Sequence, residues 1–143
     1  MLRKTLTLAA ALALMTGAAF AETHEVKMLN KGEAGSMVFE PDYVAAAPGD
    51  TVIFVSVDKG HNAEGIKGML PDGVPAFKSK MSKDFSLVVE AEGLYGIKCT
   101  PHYGMGMVAL IQVGDATNLD AVQAVKQKGK AKKRFEDIFA KVK

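Results

Sequence analysis

The stretch KCTPHYGMGM, residues 98 to 107, gathers Cys99, His102, Met105 and Met107 around Pro101, Gly104 and Gly106. Cys99 is the only cysteine in the chain. A single thiol has no disulfide partner of its own, and if exposed in an oxidising compartment it would be oxidised or cross-linked. Two arrangements protect it: burial as an inert apolar residue, which suits free cysteine, or ligation to a metal. The setting favours ligation. Cys99 closes a strand-like run and enters a short loop carrying His102 and Met107, and the next strand-like run starts at once. Thiolate, imidazole and thioether together form a soft donor set. Such a set excludes magnesium and calcium and favours copper.

A trigonal copper site of two imidazoles and one thiolate, with a weak axial thioether, needs a second histidine. Only His24 and His61 remain. His24 lies in a polar, alternating strand and is expected at the surface. His61, in VDKGHNAEG, follows the strongest strand-like run, and Gly60 permits a tight turn there. Alone it would read as a solvated loop residue; beside Cys99, His102 and Met107 it is the best fourth donor. Zinc is disfavoured by the methionine. A cysteine–histidine nucleophile pair would need an oxyanion hole and a supporting acid, which the sequence does not suggest. Copper storage or delivery would call for clustered exposed donors, but the eight methionines are scattered.

The elements that must position these residues are mainly strands. In THEVKMLN, Val26 and Met28 alternate with charged neighbours, as in a half-buried strand. MVFEP and YVAAA read as short extended pieces, Pro48-Gly49-Asp50 as a turn, and TVIFVSV (51 to 57) as a strand. A long Gly-, Pro- and Lys-rich connection follows, with no convincing helix. DFSLVVE (84 to 90), LYGIKC (94 to 99) and MVALIQV (107 to 113) are further strands. Strands joined by Gly and Pro turns, without βα alternation, predict an all-β sandwich or barrel. From about residue 116 to 143 the pattern turns helical. Leu119, Val122 and Val125 share one stripe, with Thr117 or Asn118 available as N-cap. After a break at Gly129, Phe135, Ile138, Phe139 and Val142 form a second stripe. Both stripes are expected to pack on the sandwich, with the lysines outward.

The first 21 residues read as a secretory signal. Arg3 and Lys4 precede an apolar run from Leu6 to Met15, and Ala19-Phe20-Ala21 has the small-x-small form of a cleavage site before Glu22. The run is shorter than the roughly 20 residues that span a bilayer. The mature domain is thus expected to be residues 22–143 in the periplasm, with no membrane anchor. The chain holds 18 Lys and Arg against 16 Asp and Glu. Arg3 and Lys4 account for that difference, so the charges of the mature part balance. The basic residues crowd into 126–143, but a periplasmic address argues against nucleic acid.

GHN in the first loop and CTPHYGMGM in the second, with MLNKG and MVFEP, resemble the type 1 copper site of the cupredoxins. The two terminal helices narrow the resemblance, since plastocyanin-like and amicyanin-like members lack them and azurins space the loop ligands differently. The resemblance spans essentially all of 22–143. It implies a Greek-key β-sandwich and one copper ion cycling between Cu(I) and Cu(II), held equatorially by His61, Cys99 and His102 and axially by Met107. It also implies that Asn62 ties the two loops together, with Asn30 and Thr100 bracing them. Met105 would then be an exposed apolar contact beside Pro101. The function implied is one-electron carriage, not catalysis, by a monomer that docks briefly on an acidic periplasmic partner. Lysines ring the apolar patch in the family, and the matching residues are Lys31, Lys59, Lys78 and Lys98, with Lys80 nearby. The partner implied is a denitrification enzyme such as nitrite reductase, or a c-type cytochrome.

Overall fold

A computed structural model describes residues 19–143, so most of the expected signal (residues 1–18) lies outside the described residues. Eight strands form two four-stranded sheets facing each other. In chain order they are β1 (Thr23–Gly32), β2 (Gly35–Glu40), β3 (Tyr43–Ala46), β4 (Asp50–Val55), β5 (Glu64–Gly65), β6 (Phe85–Val89), β7 (Gly93–Lys98) and β8 (Val108–Val113). A short 3₁₀ turn, Tyr103–Met105, sits between β7 and β8, and helices α1 (Leu119–Ala124) and α2 (Gly129–Phe139) end the chain. One sheet has the order β2-β1-β4-β6, the other β3-β8-β7-β5. Both are mixed, because β1 runs parallel to β4 and β3 parallel to β8. The two-residue β5, inside the long connection, carries no alternation that would reveal it.

Side-chain parity explains the core. On β1, Val26 and Met28 point inward, while Glu25 and Lys27 are exposed. On β4, Val52 and Phe54 do the same, and Phe54 meets Phe39 edge-on at 5.7 Å. All six residues of β8 are buried, which alternation alone would not predict. Ala109, Ile111 and Val113 fill the space between the sheets, whereas Val108 and Leu110 face outward. The helices cover that outer face: Val122, Ala131, Phe135 and Ile138 pack there with Leu94 and Met69. Both expected helical stripes therefore find a partner.

One expectation is corrected. Asn118 stands at the N-cap of α1, but its side chain makes no capping bond. Its Oδ1 instead accepts from Leu94 N–H at 2.7 Å, and its Nδ2 donates to Leu94 O at 3.0 Å. The amide thus ties α1 to β7, a tertiary role that outcompetes the local one.

Candidate metal centre

The register of β7 and β8 decides where the thiol points. Lys98 pairs with Val108, so Cys99 and Met107 face each other across the mouth of the loop, closed by Cys99 N–H to Met107 O at 3.0 Å. Cys99 follows the inward parity of Tyr95 and Ile97, and Met107 that of Ala109 and Ile111. Both are fully buried within the same core. The loop folds back through His102 N–H to Cys99 O at 3.2 Å and Met107 N–H to His102 O at 3.1 Å. Gly106, at φ +85°, supplies the left-handed turn before Met107.

His61 arrives from the other sheet. Gly60 turns the chain at φ +90°, and its N–H donates to Ser82 Oγ at 2.8 Å. Ser82 N–H returns a bond to His61 O at 2.9 Å, and Ala63 N–H donates to Ser79 Oγ at 2.8 Å. These bonds hold residues 60 to 63 in place. His61 is fully buried, 0% exposed.

Three donor atoms converge. His61 Nδ1 lies 3.1 Å from His102 Nδ1, and Cys99 Sγ lies 3.7 Å from the first and 3.5 Å from the second. A transition ion about 2.0–2.3 Å from each donor spans a triangle of these edges. The tautomer also fits. His61 Nε2 donates to Asn30 Oδ1 at 2.8 Å, which leaves the Nδ1 lone pair facing the other donors. Burial lowers the His61 pKa, with help from neighbouring His102 and against Asp58, and so favours the neutral imidazole that binds metal. Burial pushes the Cys99 thiol up, and the backbone N–H groups of Asn62 and His102 oppose that by favouring the thiolate. A bound cation tips the same balance fully to thiolate.

Asn62 is fully buried and bridges the loops. Its Nδ2 donates to Thr100 Oγ1 at 2.8 Å, and its Oδ1 accepts from Thr100 N–H at 2.8 Å. Thr100 Oγ1 in turn donates to Glu64 Oε2 at 2.6 Å. Asn30 is braced from behind by its own N–H to Asp58 Oδ2 at 2.7 Å. Of the four candidate donors only His102 reaches the surface, and Pro101, Gly104 and Met105, which is 41% exposed, surround it. Lys31, Lys59, Lys78 and Lys80 are exposed, each adjoining or near a residue of this network in the chain. Lys98 differs, being half-buried with Nζ 5.0 Å from the centroid of the Tyr103 ring.

His24 departs from its expected surface position. Its side chain is only 22% exposed and pairs through Nε2 with Asp50 Oδ2 at 2.8 Å. Arg134 is a residue the sequence did not single out. Its guanidinium bonds Met37 O at 2.6 Å, Gly106 O at 2.8 Å and Ser36 O at 2.8 Å, joining α2 to the ligand loop. Nothing in a lysine-rich amphipathic stripe distinguishes it in advance.

Comparison with known proteins agrees with this geometry. The family of copper-binding proteins described as plastocyanin/azurin matches residues 26–114. A pseudoazurin of Paracoccus pantotrophus is 56% identical over 135 residues, which is 94% of this chain and 93% of the relative. The crystal structure of pseudoazurin from Methylobacterium extorquens AM1 aligns with a TM-score of 0.83 at 46% identity, covering 85% of this chain and 99% of that one. Native pseudoazurin from Hyphomicrobium denitrificans aligns at 0.81 with 50% identity, over 85% and 98% of the two chains. The metal is therefore a single type 1 copper, and the protein transfers electrons and is not an enzyme. A His-Cys-His donor triangle with His61 and Cys99 buried, on a two-sheet sandwich closed by two helices, together with these matches, establishes that the chain belongs to the plastocyanin/azurin family of copper-binding proteins and stands with its pseudoazurins.

Proposed function

We propose that this protein is a periplasmic one-electron carrier in which His61, Cys99 and His102 hold copper equatorially and Met107 holds it axially. The observation that carries the ligand assignment is the triangle of Cys99 Sγ and the two Nδ1 atoms, with edges of 3.1, 3.5 and 3.7 Å. Bound copper supplies a one-electron couple at this position. The chain's own residues keep the donors fixed: Asn30 orients His61, Asn62 and Thr100 lock the loops, and buried packing holds Cys99 and Met107. Fixed donors keep small the rearrangement that accompanies a change of charge. The ring of His102 provides the route outward through the exposed patch of Pro101 and Met105.

Brief docking suits a small apolar contact. Lys31, Lys59, Lys78, Lys80 and Lys98 would steer an acidic partner to it and make the on-rate salt-dependent. The partner is a periplasmic reductase of denitrification, nitrite reductase first, with c-type cytochromes also suited, and the carrier acts as a monomer. Cleavage before Glu22 leaves a mature domain of residues 22–143. In support, residues 19 to 21 are exposed and β1 begins only at Thr23.

Loading purified mature protein with copper should give an intense thiolate charge-transfer colour that a reductant bleaches reversibly, and Cys99→Ser should abolish it. A colourless Cu(II) form, or colour that survives in Cys99→Ser, would refute the ligand set. Lys→Glu at 31, 59, 78 and 98 should slow electron transfer to nitrite reductase at low salt. Rates that respond to neither salt nor charge reversal would remove the docking model.

A further inference from the structure

We propose that the mature protein carries a second metal site at its N-terminus, distinct from the type 1 centre, for square-planar Cu(II) or Ni(II). The inference rests on cleavage before Glu22, which makes Glu22-Thr23-His24 the first three residues. A free α-amine with histidine at the third position offers four nitrogens in succession: the amine, the amides of Thr23 and His24, and His24 Nδ1. These close consecutive small chelate rings around one ion, in a plane. A planar nitrogen set suits Cu(II) and Ni(II), while a tetrahedral ion such as zinc fits it poorly. Binding releases one proton from the α-ammonium and one from each amide, and the neutral imidazole donates its lone pair without loss.

The fold leaves this tripeptide available. Glu22 and Thr23 are exposed, and His24 is partly so. Along Thr23 to Val26, β1 is paired on one side only, with β4, because β2 joins from Lys27 onward. Asp50 competes for the same groups. Its Oδ1 accepts from Glu22 N at 2.8 Å and its Oδ2 contacts His24 Nε2 at 2.8 Å, so both nitrogen-bearing ends already lie beside one carboxylate. Thr51 N–H to Glu22 O at 2.9 Å and the start of the β1–β4 ladder, where Thr23 pairs with Thr51 and His24 with Val52, also hold this end. Wrapping an ion therefore exchanges a short end of strand for the chelate and leaves the core untouched. Asn30, which orients His61, lies six residues along β1 from His24, or about 20 Å at strand rise, so the two metal sites are separate.

The test uses tag-free mature protein with copper already in the type 1 site, its first residue read by intact mass. Ni(II) and then Cu(II) are titrated in, followed by calorimetry and visible circular dichroism. One additional equivalent should bind, with a square-planar d–d signal and the blue absorption unchanged. Binding should be lost in His24→Ala and in a chain with one alanine inserted before Glu22, which moves the imidazole out of register. Asp50→Asn should bind at least as tightly, because the competing partner is gone. No additional equivalent, binding that survives the insertion, or binding lost in Asp50→Asn would overturn the site. A mature chain that starts elsewhere would overturn its basis in the cleavage reading. A chain produced to begin at Glu22, titrated alongside, separates that failure from failure of the coordination chemistry.

Independently, we infer that Arg134 is a positioning residue for the copper site, acting through Gly106 on the neighbouring Met107. Its guanidinium clamps Gly106 O and two carbonyls of β2, and a Cβ on Gly106 would come within 2.9 Å of Lys130 Cβ and 3.1 Å of its carbonyl carbon. Helix α2 thus fits the loop without slack just before Met107, which would be a copper ligand in the reading proposed above, on which this inference rests. Arg134→Gln and Arg134→Lys should both shift the ratio of the thiolate charge-transfer bands, since neither spans three carbonyls. An unchanged band ratio in both variants, with only thermal stability lowered, would reduce Arg134 to a packing residue.

Discussion

Replacing Asn62 with alanine removes both bonds between the two metal-binding loops, Nδ2 to Thr100 Oγ1 and Oδ1 from Thr100 N–H, each 2.8 Å long. A buried bond contributes about 0.5–1.5 kcal/mol net, and an abandoned partner adds to the loss. Thr100 is exposed, so water can satisfy its freed amide, and its hydroxyl keeps Glu64. The cost should therefore be about 2 kcal/mol. For a domain of this size that corresponds to roughly 6–8 °C in melting temperature. Scanning calorimetry of the apoprotein is the right assay, because bound copper stabilises the folded state and would mask the effect. Thr100→Val removes the bond from Asn62 Nδ2 and the hydroxyl's bond to Glu64 Oε2 together, and should cost about 1–2 kcal/mol. The double variant should fall short of additivity by at least about 0.5 kcal/mol, as for residues in contact. The backbone N–H of residue 62, which favours the Cys99 thiolate, survives in alanine, so the blue absorption should weaken or shift without vanishing. A melting temperature within about 1 °C of wild type would refute the account of Asn62 as a loop tie. Strictly additive variants would show that the two residues do not act on each other.

Asp50 provides a pH test. The N–H of Ala47, then Glu22 N and His24, hold its carboxyl down to about 2 from 3.8. A depressed carboxyl pKa stabilises the fold above the unfolded value and loses that contribution as pH falls through the folded one. The wild-type melting temperature should therefore drop between about pH 4 and pH 2 more steeply than that of Asp50→Asn, and parallel curves would exclude the role. Phe135→Ala, at the buried contact of α2 with β8, should cost about 3–5 kcal/mol in apoprotein unfolding. A loss below about 1 kcal/mol would mean the helices do not share the domain's core. Gly106→Ala combines a positive φ with a close approach to α2, so it should lower stability and disturb the blue spectrum together.

Much of the centre was legible because it is local. Cys99, His102 and Met107 share one loop, and β-strand parity on either side already aims Cys99 and Met107 inward. The strands were legible wherever one face is wet, as in β1 and β4. They were less so in β8, whose burial on both faces depends on helices that follow it in the chain. Short β5 has too few residues to show a pattern. Asn118 illustrates a competition that local rules cannot settle, since its side chain caps nothing and binds Leu94 instead.

The sequence by itself determined the donor types, the loop that carries three of them, the alternation that builds a sandwich and the helical stripes that close it. These depend on spacing along the chain, and spacing is what side-chain periodicity reads. Tertiary structure alone decided that His61 Nδ1 comes within 3.7 Å of a sulfur 38 positions away, and that Asn30 faces the other nitrogen of the same ring. It also decided that Asp50 gathers Glu22 and His24, and that Arg134 reaches Gly106 across 28 residues. Such contacts arise from sheet pairing and packing, where distant segments meet because each must bury its own apolar face. No local pattern in the chain encodes which polar groups that burial brings together.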